Sequence, residues 1–204
     1  MSILTCGVAY ADRLGNEIYT DYSNMLRVSA AFADDDMNET DKWRAALLSL
    51  YGNMEEVHGD ADALIQEFLW FYSGGKTVND GKGGAELIDF EQDAEYIHAD
   101  FLTAYGIDLA GEGCELHWWK FLSLIKALPE DMTMAKRMYY RGVSISKFKG
   151  EERKQIAKIK KSLAIKRTCS VAYKNAEDKE QSYKERMQKR ANEMLKNRAD
   201  SDNM

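Results

Sequence analysis

Residues 90 to 128 contain two apolar patterns with the period of an α-helix, and both require burial. In FEQDAEYIHADFLTAY, apolar side chains recur at steps of four, three, four and three residues, on one face of a helix: Phe90, Ala94, Ile97, Phe101 and Ala104. The segment LHWWKFLSLIKAL is apolar over most of a helical circumference. Two such segments in succession predict a buried pair of helices.

The ends of this pair are marked by residues with special backbone requirements. Gly106 stands where a left-handed residue would terminate the first helix, and Pro129 stops the second because it lacks an N–H donor. The chain has one proline and many Ala, Leu, Glu, Lys and Met residues, which favours helix elsewhere too. Its 204 residues, 45% of them hydrophobic, suffice for one domain of about 150 residues and an appendage. The predicted fold class is mainly α, a helical bundle.

Further helices are predicted on both sides of the central pair. Thr20 or Asp21 would cap the first, Asn38 or Thr40 would cap the second, and Gly52 would end the second. A third runs from about residue 60 to 72 and contains LIQEFLWFY. The connection SGGKTVNDGKGGAE, with five glycines in fourteen residues, leads to the central pair, and a short helix near residues 132–140 follows it.

The two ends of the chain are predicted to differ from this core. GVAYADRLGNEIYT indicates a small β-hairpin with its turn near residues 14–16. No proline or glycine interrupts the chain from residue 151 to about residue 198, which predicts a long C-terminal helix. We therefore divide the chain into an N-terminal hairpin (1–20), a helical core domain (21–149) and a C-terminal helical extension (150–204).

The last part of the extension has only a thin apolar stripe, formed by Tyr183, Met187, Ala191 and Met194. Such a stripe is too narrow for a core helix, and an isolated helix of this length is marginal in water. We predict a projecting helix that becomes firm on a partner.

Charge is distributed unevenly along the chain. Residues 1–135 carry 25 acidic and 8 basic side chains, whereas residues 136–174 carry 13 basic and 2 acidic ones, and residues 176–204 carry seven of each. The basic segment could lie against the protein's own acidic body, against a neighbouring copy, or against an acidic protein partner. Nucleic acid is disfavoured, because the acidic body would repel it and no reader motif accompanies the lysines.

Several of these segments resemble a known family. LHWWKFLSLIKALPED, preceded by DFEQDAEYIHADFLTAYGIDL and followed by YYR and SISKF, is similar to tail-region proteins from phages and prophages of Gram-positive hosts, a family named by the gene-product number fifteen. GNEIYTDYSNMLR, LLSLYGN and EFLWFYSGGK occur upstream in the family's order, so the resemblance covers roughly residues 7 to 165.

The resemblance implies a role in tail assembly, because the family's genes typically lie beside the gene for the tape-measure protein. It implies a chaperone for that long, aggregation-prone helical protein, and it brings no catalytic residues. A structural tail subunit retained in the virion is the alternative, and a nucleic-acid-binding regulator that uses the basic segment is a third. In each case we expect a protein without enzymatic activity or cofactor.

Two surfaces are candidates for binding a partner. The first is an aromatic-rich groove on the core: Phe68, Trp70, Phe71, Trp118 and Trp119. Because Trp118 and Trp119 are adjacent and point about 100° apart on a helix, either both pack within the chain or one stays available as an interface anchor. The second surface is on the basic segment: Lys158, Lys161 and Arg167.

Short motifs for small ligands fail on spacing. The triplet at 75–77, Gly-Lys-Thr, lacks the first glycine of a phosphate-binding loop, because Trp70 stands there. A calcium loop starting at Asp34 would have Glu39 where glycine is needed and Ala45 where a bidentate glutamate is needed. Half a zinc site is present in Cys114 and His117, with His98 nearby in the helix pair, but a second compact pair is missing. We predict no metal site.

The predicted location is the host cytoplasm. No run approaches the roughly 18 apolar residues of a membrane span, and the first residues do not have the pattern of a signal peptide. Three widely spaced cysteines fit reduced thiols better than a disulfide framework. The expected partner is a protein such as the tape-measure protein, and a homo-oligomer is compatible with these features.

Overall fold

The computed structural model describes residues 7–76 and 87–166. These residues form a mainly helical fold, as predicted. The α-helices are α1 (Tyr22–Ala33), α2 (Glu39–Tyr51), α3 (Ala61–Tyr72), α4 (Ala94–Tyr105), α5 (Trp118–Lys126), α6 (Thr133–Gly142) and α7 (Gly150–Ser162), with a 3-10 turn at Ile145–Lys147 before α7.

Local capping chemistry sets the helix ends in the first half of the chain. The side chains of Asp21, Asn38 and Asp60 each accept a hydrogen bond from a backbone N–H two or three residues further on, at the starts of α1, α2 and α3. Gly52 follows α2, and Gly106 follows α4 in the left-handed conformation. The predicted caps at Asp21, Asn38, Gly52 and Gly106 are therefore confirmed.

Helix α5 lies at the centre of the packing. It contacts α1 and α4, while α2 joins α1 to α3, and α6 joins α4 to α7. Two backbone hydrogen bonds fix the start of α5 beside the start of α1, since Tyr22 N donates to Leu116 O at 2.9 Å and Trp118 N donates to Thr20 O at 2.7 Å. Each of the helices α1 to α6 contributes at least one fully buried side chain to the core: Met25, Leu50, Phe71, Phe101, Ile125 and Met134.

The predicted central helix pair is present, but its first helix is shorter than the apolar stripe. Phe90 lies in a turn before α4, and the helix starts only at Ala94. Phe90 still faces the core, with its ring centroid 6.0 Å from that of Trp118 and 5.9 Å from that of Phe121. The 3.6-residue period thus correctly marked Ile97 and Phe101 as buried, but Ala94 is exposed and the helix starts later than the stripe.

The predicted N-terminal hairpin is a folded loop with a single antiparallel bridge, between Ala11 and Glu17, among residues 7–20. The Asp12 carboxylate accepts hydrogen bonds from Asn16 N at 2.9 Å and from the Tyr51 hydroxyl at 2.8 Å. The Asp12 N–H also donates to Asn16 O at 2.9 Å. A short backbone pairing, together with side-chain hydrogen bonds within the loop and to α2, thus holds this reversal without the longer ladder of two β-strands.

The predicted uninterrupted C-terminal helix is also not found, because α7 ends at Ser162 and residues 163–166 leave the helical path. Side chains from distant parts of the chain donate hydrogen bonds to carbonyls of this segment: Arg141 Nε donates to Leu163 O at 2.7 Å, and Gln92 Nε2 donates to Lys166 O at 2.8 Å. Lys166 N donates back to Gln92 Oε1 at 3.1 Å. The rest of the predicted helix lies outside the described residues.

Candidate partner-binding site

The five aromatic residues predicted to line an exposed groove are buried. Their side chains have relative exposures of 2% for Phe68, 8% for Trp70, 0% for Phe71, 1% for Trp118 and 4% for Trp119. The expectation that these side chains are available at the surface is wrong, and both adjacent tryptophans pack within the chain.

Helix α3 explains why both tryptophans are inside. Trp118 Nε1 donates to Tyr72 O and Trp119 Nε1 donates to Phe71 O, each at 2.8 Å. These carbonyls belong to the last turn of α3, and Phe71 O also accepts a hydrogen bond from Gly74 N at 3.0 Å. Gly75 follows with positive φ, and a Cβ there would lie 2.9 Å from the Trp119 ring. The glycine of the Gly-Lys-Thr triplet thus serves close packing.

A different apolar groove is open at the surface between α2 and α3. This α2–α3 groove has a volume of about 680 Å³ and is lined by Thr40, Trp43, Arg44, Leu47, Leu48, Gly52, Asn53, Met54, Ala61 and Ile65. Trp43, Leu47, Met54 and Ile65 are half-buried, and Leu48 is 42% exposed. The groove therefore offers apolar side chains that the fold itself leaves partly uncovered.

Trp43, one of the lining residues, is held in place by two other aromatic rings. Its ring meets Phe32 edge-on with centroids 5.0 Å apart and Phe68 edge-on at 6.0 Å. Both arrangements are favoured by the ring quadrupoles, so the indole is held in one orientation. A rigid, half-exposed tryptophan has the properties of an interface anchor.

The groove lies in an acidic setting. Residues 34–62 carry nine acidic and two basic side chains. Acidic residues adjoin the lining at three places, with Glu39 and Asp41 beside Thr40, Glu55 after Met54, and Asp62 after Ala61. The one charged residue in the lining itself is Arg44. An apolar groove within a strongly acidic stretch of chain suits an amphipathic helix that carries basic residues beside its apolar stripe.

Two arginines at the start of the basic segment are used inside the protein. Arg137 and Arg141 both bind the carboxylate of Asp93, which is fully buried. Arg141 also donates to Leu87 O at 2.9 Å. Burial alone would raise the pKa of Asp93, but the hydrogen bonds from Arg141, Asp89 N and Arg137 lower it below the ordinary value. This Asp93 cluster joins the acidic body to the basic segment.

Helix α7 carries the lysines predicted as partner contacts, and it has no buried residue. Lys158 and Lys161 are exposed, and with Lys154 they lie at steps of four and three on one side of the helix. Lys154 pairs with Glu151 at 3.0 Å on the same helix. The third predicted contact, Arg167, lies outside the described residues.

The histidines and the cysteine considered for a metal site have separate structural roles. His117 Nδ1 accepts from Trp119 N at 3.0 Å, so Nε2 carries the proton that binds Ala9 O at 2.8 Å. Burial lowers the pKa of His117. His98 pairs with Asp108 at 2.8 Å. Within 7–76 and 87–166, no group of three His, Cys, Asp or Glu side chains could hold a metal ion.

The α2–α3 groove was not among the sequence predictions, although a signal for it exists. Leu47 and Leu48 are adjacent, and a helix that buries Ala46 and Leu50 cannot cover both. The leucine turned away from the core is the exposed one, Leu48. An apolar residue outside the core stripe of α2 thus pointed to a second apolar surface.

In the part of the chain that the structure describes, no helix has the length and apolar character of a membrane span. No curated protein and no solved structure matches the chain. A family model does match, over residues 11–165, and this range holds α1 to α7, the α2–α3 groove and the Asp93 cluster. The chain therefore belongs to the bacteriophage Gp15 protein family.

Proposed function

We propose that this protein is a non-enzymatic phage tail-assembly protein that binds an amphipathic helix of the tape-measure protein in the α2–α3 groove. The observation that carries the proposal is the groove itself, in which Trp43, Leu47, Leu48, Met54 and Ile65 remain partly uncovered. Its role is that of a chaperone, which covers apolar faces of the tape-measure protein until tail subunits replace it.

The geometry supports a helix as the bound element. The lining runs along α2 from Thr40 to Gly52, which at 1.5 Å per residue is about 18 Å. A helix in such a groove presents apolar residues at i, i+3 or i+4, and i+7, and its anchors fill apolar pockets. Trp43, held between Phe32 and Phe68, offers a flat indole surface for one of these anchors.

The family supports a phage context for this binding. Membership in the bacteriophage Gp15 family makes a phage protein the natural partner. The sequence resembles tail-region proteins whose genes lie beside that of the tape-measure protein, a long helical chain that needs protection before assembly. A chaperone that binds one helical face at a time fits this need without any catalytic group.

Co-expression with the tape-measure protein tests the proposal. We expect the full-length chain to co-purify with it and to raise its soluble fraction. Leu48→Asp should abolish both effects, because it places a charge in the groove. Leu102→Asp is the matched control, since Leu102 is a leucine of similar exposure, 48%, on α4. Equal loss in both variants, or no complex with the wild-type chain, would contradict the groove as the binding site.

Mass spectrometry of purified virions separates a chaperone from a structural subunit. A chaperone leaves during assembly, so we expect its peptides to be absent from particles that contain the tape-measure protein. Peptides in stoichiometric amounts would instead assign the protein to the tail structure.

An electrophoretic mobility-shift assay at low salt tests the nucleic-acid alternative. If adding the protein leaves the mobility of DNA and RNA unchanged, that alternative is excluded.

A further inference from the structure

We propose that residues 180–198 of this chain occupy the α2–α3 groove of the same molecule when no partner is bound. These residues lie outside the described part of the chain, and the inference rests on their sequence and on the geometry of the groove. It concerns the same groove as the proposed function but needs no phage partner, so the two proposals can fail separately.

The apolar stripe of this segment matches the groove in length. Tyr183, Met187, Ala191 and Met194 recur at steps of four, four and three, which is one face of a helix. From Tyr183 to Met194 such a helix rises about 17 Å. The groove lining along α2, from Thr40 to Gly52, is about 18 Å long by the same measure. Large residues would meet the groove near both of its ends.

The charges of the two surfaces are complementary. Residues 180–198 carry six basic and three acidic side chains. All lining residues of the groove except Ile65 lie within residues 34–62, a stretch that carries nine acidic and two basic side chains, one of which, Arg44, lines the groove. The segment therefore combines the two properties that the groove selects, namely a narrow apolar stripe and flanking positive charge.

The tether allows this contact and strengthens it. The last described residue, Lys166, is bound to Gln92, and residues 167–182 can span up to about 53 Å from there. A domain of this size has a diameter of about 40 Å, so the segment reaches either side of it. A short tether also gives a local concentration in the millimolar range, at which even a weak helix-in-groove contact is occupied.

Occupation by the chain's own segment would regulate the groove. It would shield the half-exposed side chains, including Trp43 and Leu48, from unspecific association. A partner helix would have to displace this segment. The partner's apparent association constant would therefore equal its intrinsic value multiplied by the fraction of molecules whose groove is free. Only a helix with a better stripe than that of residues 180–198 would then bind.

Hydrogen exchange on the full-length chain, without any partner, tests the proposal. We expect the amides of residues 183–195 to exchange at least about tenfold more slowly than in an unstructured peptide. Met187→Asp should remove this protection and also speed exchange in α2 beside the groove. Gln188→Asp introduces the same charge about 100° around the predicted helix and should leave both unchanged. Leu48→Asp should act like Met187→Asp, and Leu102→Asp like Gln188→Asp.

Cross-linking decides which copy supplies the segment. A photoreactive side chain placed at Leu48 should link to residues 180–198, and in a mixture of ¹⁵N-labelled and unlabelled chains the linked peptides should carry one label only. Links of mixed label would overturn the assignment to the same molecule in favour of a second copy. Unprotected amides at 183–195 in the wild-type chain, or equal effects of Met187→Asp and Gln188→Asp, would overturn the contact itself.

Discussion

Helices α5 and α7 have the same kind of backbone and very different surroundings. Four of the nine residues of α5 are buried: Trp118, Trp119, Phe121 and Ile125. Helix α7 is longer, with thirteen residues, and none of them is buried. Helix α5 is held by packing around its circumference, whereas α7 is held by α6 and by hydrogen bonds near its ends, such as that from Lys160 Nζ to Val143 O at 2.9 Å.

This difference separates stability from recognition. Burying an aromatic side chain contributes a few kcal/mol, so changes in α5 act on the whole domain. Exposed lysines contribute about 0–1 kcal/mol each at most, so the face of α7 can change with little cost to the fold. The α2–α3 groove lies between these extremes, because its lining combines half-buried side chains such as Trp43 and Ile65 with exposed ones such as Leu48.

The largest effect is expected at α5. Trp118→Ala should lower the free energy of unfolding by about 3–5 kcal/mol, because it leaves a cavity and removes the indole hydrogen bond to Tyr72 O. Urea denaturation of the full-length chain measures the loss. Lys158→Ala on α7 is the contrasting variant and should change stability by less than about 0.5 kcal/mol. Similar losses of unfolding free energy in the two variants would contradict the proposed difference between α5 and α7.

The next effect is expected at the Asp93 cluster, where the body meets the basic segment. Asp93→Asn should cost about 3 kcal/mol, because it leaves Arg137 and Arg141 without their carboxylate. Asp131→Asn, at an exposed position, is the control and should be nearly neutral. A neutral result at Asp93 in thermal and urea unfolding would show that the cluster does not join the two regions.

The same cluster predicts a loss of stability in acid. The folded-state pKa of Asp93 lies below its ordinary value of 3.8, so the cluster stabilises the fold above that pH. The stabilisation is lost as the pH falls below 3.8 towards the folded-state pKa. Unfolding measured at decreasing pH should show a steeper decline for the wild type than for Asp93→Asn.

A smaller effect of pH on stability is expected from His117, which becomes positively charged when it is protonated and lies just before α5. Burial lowers the pKa of His117, so the folded state resists protonation and stability should fall as the pH drops below about 6.5. The slope cannot exceed about 1.4 kcal/mol per pH unit for one group. His117→Asn retains a helix-capping side chain and should flatten this slope between pH 5 and 7 in urea unfolding. An unchanged slope in the variant would contradict this assignment.

The smallest effect on stability is expected on the exposed face of α7. Replacing both Lys158 and Lys161 by alanine should change the free energy of unfolding by less than about 0.5 kcal/mol, since both side chains are exposed. Chemical denaturation of the double variant checks this. A loss above about 1 kcal/mol would show that these lysines hold the fold together, and the contrast with α5 would fail.

Local chemistry explains why much of the helical layout was predictable. Asp21, Asn38 and Gly106 act on backbone groups within a few residues, and their roles as caps were read directly from the sequence. The hairpin and the continuous last helix were not predictable in the same way. The Asp12 contact with Tyr51 and the Gln92 contact with Lys166 join residues far apart in the chain and override local preference.

The candidate site was harder to predict, because composition does not say which apolar side chains the fold covers. Phe68, Trp70, Phe71, Trp118 and Trp119 are the most apolar cluster, and for that reason the core takes them. The groove is built from residues left over on the other side of α2 and α3, such as Leu48 and Ile65. Lys158 and Lys161 are exposed as expected, because an unpaired ammonium group is costly to bury.

The sequence alone determined the helical class, the order of the helices and most of their caps, because these depend on contacts within one or two turns. It also carried the resemblance to a phage family that the match over residues 11–165 supports. Only the tertiary structure decided that both Trp118 and Trp119 are buried and that a groove opens between α2 and α3. The physical reason is that exposure depends on which helices meet, and that choice is made by the whole chain at once.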